Sequence, residues 1–237
     1  MTLKSKPLKT TYFIENTALE HVNTIRDLGV FLDTKLTFRP HVEKTILKAN
    51  RALGVLIRSF QKARPRGYLS RQAVLTSYFA HVRSVLEYGS VIWGGAANSH
   101  MNRIERVQHK FTMWLNAHCA VQSPLISYPD LLRHFKLNSL AARRLQHDIL
   151  FIRNVFCGKI DSPFLLNAFS LAIPARVTRQ QVLFSIPRAR VNTIREGLYV
   201  RLPRTANQFL ETCATPDVFC DSFYSFRALV LSYVSSF

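Results

Sequence analysis

The carboxylates of this sequence are too dispersed for the chemistry that needs them in pairs. Holding two divalent cations about 4 Å apart takes clustered Asp or Glu side chains on neighbouring strands. None of the 14 acidic residues adjoins another in the 237-residue chain. Asp27 and Asp33 bracket Leu28–Leu32, yet this spacing does not make a metal pair; both read as turn residues, Asp27 at a strand edge and Asp33 ahead of a helix. There is no Gly-x-Ser-x-Gly elbow, no Gly-rich phosphate loop and no His-Glu-x-x-His. Pro129-Asp130 looks like the opening of a nuclease motif that no Glu-x-Lys or Asp-x-Lys completes downstream. Cys119, Cys157, Cys213 and Cys220 lack the close pairing of zinc ligands and read as free thiols in a reducing compartment. His118 reads as a helix C-terminal residue, not a partner of Cys119 in a site. No catalytic residue, metal ligand or cofactor is expected.

Cations are the residues with something to do. Lys and Arg total 32 against 14 acids, a formal charge of +18, and such an excess is best tolerated beside a polyanion. Lys44, Lys48, Arg51 and Arg58 fall on one face of a 3.6-residue period, opposite Val42, Ile46, Ala49, Leu53, Leu56 and Phe60. Arg103, Arg106 and Lys110 repeat the arrangement beside Met101, Ile104, Val107, Phe111 and Trp114. Between them Arg58, Lys62, Arg64 and Arg66, followed by Tyr68 and Arg71, form the densest basic stretch, broken into a loop by Pro65 and Gly67. Phosphates take Arg and Lys in a track, and unpaired bases take exposed aromatic faces. These twelve cationic and aromatic positions are the candidate nucleic-acid contacts. Trp93 and Trp114 fit the core better than a stacking role.

The elements that must position these residues come in two kinds. Thr10–Ile14 is β-branched and aromatic, Glu15-Asn16 is a turn, Leu19–Val22 could pair back, and Ile25–Leu32 alternates as a further strand. This predicts a small N-terminal antiparallel β element with an unfinished edge. From Pro40 the period is helical. A second helix is expected from Ser70 to about Tyr88, with Gly89, Gly94 and Gly95 loosening the backbone around Trp93, and a third starts at Asn98 or Ser99. Helical spacing resumes at Leu131 and at Leu145, Ile149, Ile152 and Phe156, and Asp161-Ser162-Pro163 starts a short helix. Beyond Pro174, Arg176, Arg179, Arg188, Arg190, Arg195, Arg201 and Arg204 are expected in loops and short extended pieces, before a last helix around residues 221–230. The fold class is therefore mainly α with a small N-terminal β element, a helical bundle and an irregular C-terminal extension. No apolar run approaches the roughly 18 residues of a membrane span, and no Asn-x-Ser/Thr acceptor points to secretion. An intracellular protein, in nucleus or cytoplasm, is expected.

Several ordered blocks carry a resemblance. Asp27-Leu28-Gly29-Val30, Leu32 to Phe38 and His41-Val42 resemble the segment that follows the palm motifs of non-LTR retrotransposon reverse transcriptases. Val85 to Trp93, Arg103 to Phe111, Phe184 to Arg190 and Asp221 to Arg227 are similar to further blocks of the jockey-like arthropod type. The resemblance implies three parts: residues 1–38 as final palm strands, 39–120 as a helical thumb-like domain, and 121–237 as a C-terminal extension. It implies a thumb packed on template–primer RNA, RNA–DNA or DNA duplex through the backbone, without sequence preference. It also implies a polymerase that needs Mg2+, whose carboxylate ligands match no residue here. The remaining palm portion of the polymerase is then a further partner, and no membrane is. The same residues leave two alternatives: a decayed open reading frame without independent function, or a domesticated protein-interaction module.

Overall fold

The computed structural model describes residues 11–63, 70–118, 127–172, 182–213, 218 and 222–235. Two hairpins begin it. β1 (Phe13–Ile14) and β2 (Thr17–Ala18) pair antiparallel across Glu15 and Asn16, both at positive φ. β3 (Thr24–Asp27) and β4 (Val30–Asp33) pair across Leu28 and Gly29 at φ 42° and 87°. Positive φ at both central residues is what a two-residue hairpin turn demands. The expected single strand Ile25–Leu32 is thus folded in half, because Gly29 supplies the left-handed residue that alternation alone conceals. The two sheets remain separate. The pairing expected of Leu19–Val22 begins earlier, at Thr17.

Helix α1 (Arg39–Ala63) follows. Asp33 prepares its start by accepting from the amides of Thr37 (3.1 Å) and Phe38 (2.8 Å). Partial burial raises the Asp33 pKa, and these hydrogen bonds outweigh it to hold the carboxyl below its usual range. Pro40 occupies the first turn, where no intrahelical donor is needed. Ser70 caps α2 (Arg71–Tyr78), accepting from Ala73. A π-helical turn, Phe79–Arg83, carries the chain into α3 (Ser84–Glu87), and the unbroken run buries Val74, Tyr78, Val82 and Leu86. Gly89 then turns left-handed at φ 64° into α4 (Ser90–Trp93). Trp93 is fully buried and its indole donates to the Tyr88 carbonyl at 2.7 Å.

Helix α5 (Asn98–His118) and the short α6 (Tyr128–Phe135) complete a first core with α1, α2 and α3. Inside it Tyr78 stacks on Phe111 at 3.8 Å and donates to Gln108, which donates in turn to Tyr128 and the Asn138 carbonyl. Helix α7 (Leu140–Phe156), capped by Ser139, joins this core to a second one. The second core includes α8 (Pro163–Ala168), α10 (Leu198–Thr212) and α11 (Phe223–Val234) around Phe184, Leu202, Phe209 and Phe226, and the single turn α9 (Asn192–Arg195) lies beside α10 with no buried residue.

Helix α10 corrects the expectation of loops beyond Pro174. Pro203 reads as a breaker in sequence, but it lies in a fifteen-residue helix whose Val200, Leu202, Ala206 and Phe209 are buried. Burial of Val200, Leu202 and Phe209, each worth roughly 1.5–3 kcal/mol, offsets the roughly 3 kcal/mol that an interior proline costs. Arg201 and Arg204 therefore stand on a helix, and Arg195 ends the single turn α9.

Gly94 and Gly95 also differ from expectation. A Cβ on Gly95 would lie 1.8 Å from the Glu196 carbonyl oxygen, and one on Gly94 would lie 2.5 Å from Arg201. They are sites of close approach between the two cores, not of looseness.

Candidate nucleic-acid interface

On α1 the apolar stripe turns inward: Val42, Ala49, Leu53 and Leu56 are buried, and Ile46 and Phe60 pack against them. Lys44, Lys48, Arg51 and Arg58 are all exposed on the other side. From Lys44 to Arg58 the line runs about 21 Å at 1.5 Å per residue. It is not purely cationic, since Leu47 and Val55 are also exposed there. Lys44 is partly engaged: its ammonium sits 3.6 Å from the Phe31 ring centroid, which Arg26 approaches at 5.6 Å.

On α5, Arg103, Arg106 and Lys110 are exposed. Glu43 of α1 ties the two lines together at their starts, bonding Arg39 at 2.9 Å and lying 3.8 Å from Arg103. The hydrogen bond from Arg39 and the charges of Arg39 and Arg103 hold the Glu43 carboxyl below its usual range. Arg39 and Arg26 join the basic surface without having been singled out by sequence; the Arg39–Glu43 spacing of four was the available signal. Arg71, exposed at the start of α2, stands 5.7 Å from the ring of Phe135 on α6. Arg64, Arg66 and Tyr68, and the side chain of Lys62, fall outside the described residues. Trp93 is core, and Trp114 is partly buried against the first core.

Other arginines point inward. Arg143 grips Glu87 with two hydrogen bonds, one of them 2.8 Å, and Arg83 stands 3.8 Å from the same carboxylate. His147 lies 3.9 Å from Glu87 and within 3.1 Å of the Ser90 hydroxyl; burial pushes its pKa down. Arg201 bonds buried Asp148 at 2.7 Å and the Val91 carbonyl at 2.6 Å. Burial raises the Asp148 pKa to about 7, against the opposing pull of Arg201 and Arg144. Sequence placed Arg143, Arg144 and Arg153 beside an apolar stripe without showing that Arg144 and Arg153 would be buried within it.

Among the described residues no three His, Cys, Asp or Glu side chains are grouped as metal ligands. None of the described helices is long and apolar enough to cross a membrane.

Two curated proteins of Drosophila melanogaster match the chain. The probable RNA-directed DNA polymerase from transposon X-element is 36% identical over 100 residues, 41% of this chain and 10% of the relative. The one from transposon BS is 30% identical over 116 residues, 46% of this chain and 12% of the relative. Part of the chain is similar to transposon polymerases. The matches agree with the resemblance carried by the sequence blocks, and the aligned stretch spans about a tenth of each relative's length. No family model matches, and no solved structure does either.

Proposed function

We propose that this chain grips template–primer nucleic acid as a thumb-like, non-catalytic part of a mobile-element reverse transcriptase, by contacting backbone phosphates. The observation that carries this reading is the paired array of exposed cations on α1 and α5, each backed by a buried apolar stripe. Phosphates are charged and repeat regularly along either strand, so a line of point charges fixes position without reading sequence. The similarity to transposon polymerases supports RNA, and RNA–DNA or DNA duplex, as the proposed substrate class.

The test is binding of an RNA–DNA duplex across a salt series, with circular dichroism confirming a folded sample. For six neutralised phosphates the log–log slope is expected at about −5 on duplex and about −4 on single strands. Weak, salt-insensitive binding by a folded chain would overturn the reading.

The exposed apolar side chains of the first hairpins favour a second contact, with polypeptide. Tyr12, Phe13, Ile14 and Leu19 are all exposed. The palm portion of the polymerase is the partner proposed for them. Saturable protein binding that survives high salt would distinguish this contact from the phosphate array.

A further inference from the structure

Where α5, α7 and α10 meet, a pocket of about 480 Å³ opens to solvent. Its lining includes Glu105, Arg144, Asp148 and Arg201, with Glu196 and Arg204 paired to each other at 2.8 Å beside them. Buried polar atoms in native proteins nearly always have a hydrogen-bond partner. Each of these four residues nevertheless holds one polar atom shielded from solvent and without a partner: Glu105 Oε2, Arg144 Nη1, Asp148 Oδ1 and Arg201 Nε. The unused capacity is two acceptors and two donors.

Charge narrows what such a pocket suits. Three acids (Glu105, Asp148 and Glu196) face three arginines (Arg144, Arg201 and Arg204) in the lining. The balance selects neither an anion nor a cation, in contrast to the exposed faces of α1 and α5. A neutral, flat molecule rich in both donors and acceptors is the complement. Among the bases, guanine offers N1–H and N2–H2 as adjacent donors and O6 and N7 as acceptors. A carboxylate pair can take the first two and guanidinium groups the second, as in Arg recognition of guanine O6 and N7.

We propose that this pocket receives an unstacked guanine base from a single-stranded segment of bound RNA. After small side-chain rotations that bare the shielded atoms, the free oxygens of Glu105 and Asp148 accept from its Watson–Crick edge, and Arg144 and Arg201 donate to O6 and N7. The proposal deepens the nucleic-acid reading and rests on it: phosphate contacts supply affinity, and this pocket adds a preference that they lack.

The test measures anisotropy of short labelled oligouridine strands carrying one central G, A, C or inosine, at near-physiological salt, with duplex binding measured in parallel. The guanine strand is expected to bind about tenfold tighter than the adenine and cytosine strands, with inosine between them because it lacks the 2-amino group. Glu105→Gln keeps a carbonyl oxygen for the contacts that Oε1 now makes with Tyr128 and the Leu140 amide. It replaces the free acceptor with a donor, so the guanine preference should fall to parity while duplex affinity is unchanged. Asp148→Asn should act likewise. Equal binding of all four strands by the folded wild-type chain, the result expected if water alone fills the pocket, would overturn the proposal. So would a guanine preference that survives both substitutions. If neither duplex nor single strand binds, the phosphate reading fails by itself, and guanosine titrated alone decides the pocket: millimolar binding lost in Glu105→Gln upholds it, and no binding sinks it.

Discussion

The same residue type does opposite work at the two ends of this molecule. On α1 and α5, Arg51, Arg58, Arg103 and Arg106 stand in water, opposite the side chains that build the first core. On α7 and α10, Arg144 and Arg201 are buried and share the lining of one pocket with Asp148 and Glu105. The difference is the carboxylate supply. Near the described outward lines the anchoring acid is Glu43, half-buried and shared between Arg39 and Arg103. The inward arginines have acids placed by tertiary contact, with Arg201 reaching Asp148 across 53 residues of sequence. A formal charge of +18 is therefore not a uniform coat. The part available to a polyanion is what the fold leaves outside.

The contrast can be broken most severely at Arg201. Arg201→Met would leave Asp148 and the Val91 carbonyl without their guanidinium, an uncompensated burial expected to cost about 3–5 kcal/mol in denaturant unfolding. A change below about 1 kcal/mol would mean that the inward ion pair contributes little. Close to this in size is Gly95→Ala, which forces a methyl onto the Glu196 carbonyl 1.8 Å away. About 3 kcal/mol of destabilisation is expected, read by the same melts, with Gly54→Ala as a comparison, where the added Cβ meets only Arg58 side-chain atoms at 3.6 Å or more.

The outward side should respond in the reverse sense. Replacing Lys44, Lys48, Arg51 and Arg58 together by Gln should leave stability within about 0.5 kcal/mol per site. Duplex affinity at moderate salt should drop tenfold or more, which is about 1.4 kcal/mol. Unfolding of this variant, or unchanged affinity, would erase the distinction between the two sets of cations.

The last effect is one of pH. Asp148 titrates at about 7 in the fold against a reference of 3.8, so between these values the folded state holds a proton that the unfolded state has released. Stability contributed by this group therefore falls as pH rises from about 4 to about 7. Relative to wild type, Asp148→Asn should lose that downward slope. Parallel stability–pH curves for the two proteins would count against a raised Asp148.

How much of this was legible in sequence depended on range. The α1 stripe was readable because residues at spacings of three and four settle a helix face locally, and Val42, Ala49, Leu53 and Leu56 are indeed buried. Ser70 and Ser162 announced their helices because a cap acts within three residues. The Leu28–Gly29 reversal was hidden, since alternation continues through a two-residue turn. Helix α10 was hidden by Pro203, whose local penalty is overridden by burial against α7 and Phe184. The pocket was out of reach altogether. Glu105, Asp148 and Arg201 come from three helices, and no spacing along the chain signals that they line one pocket.

The Gly94–Gly95 seam bears on how the molecule can be divided. A joint that has no room for a methyl group is a keyed fit, and each side is shaped by the other. Severing the chain between the two cores would bare Arg201 and the Glu196 carbonyl on one side and the glycine pair on the other. The two halves are best understood as one casting, each the mould of the other at Gly95.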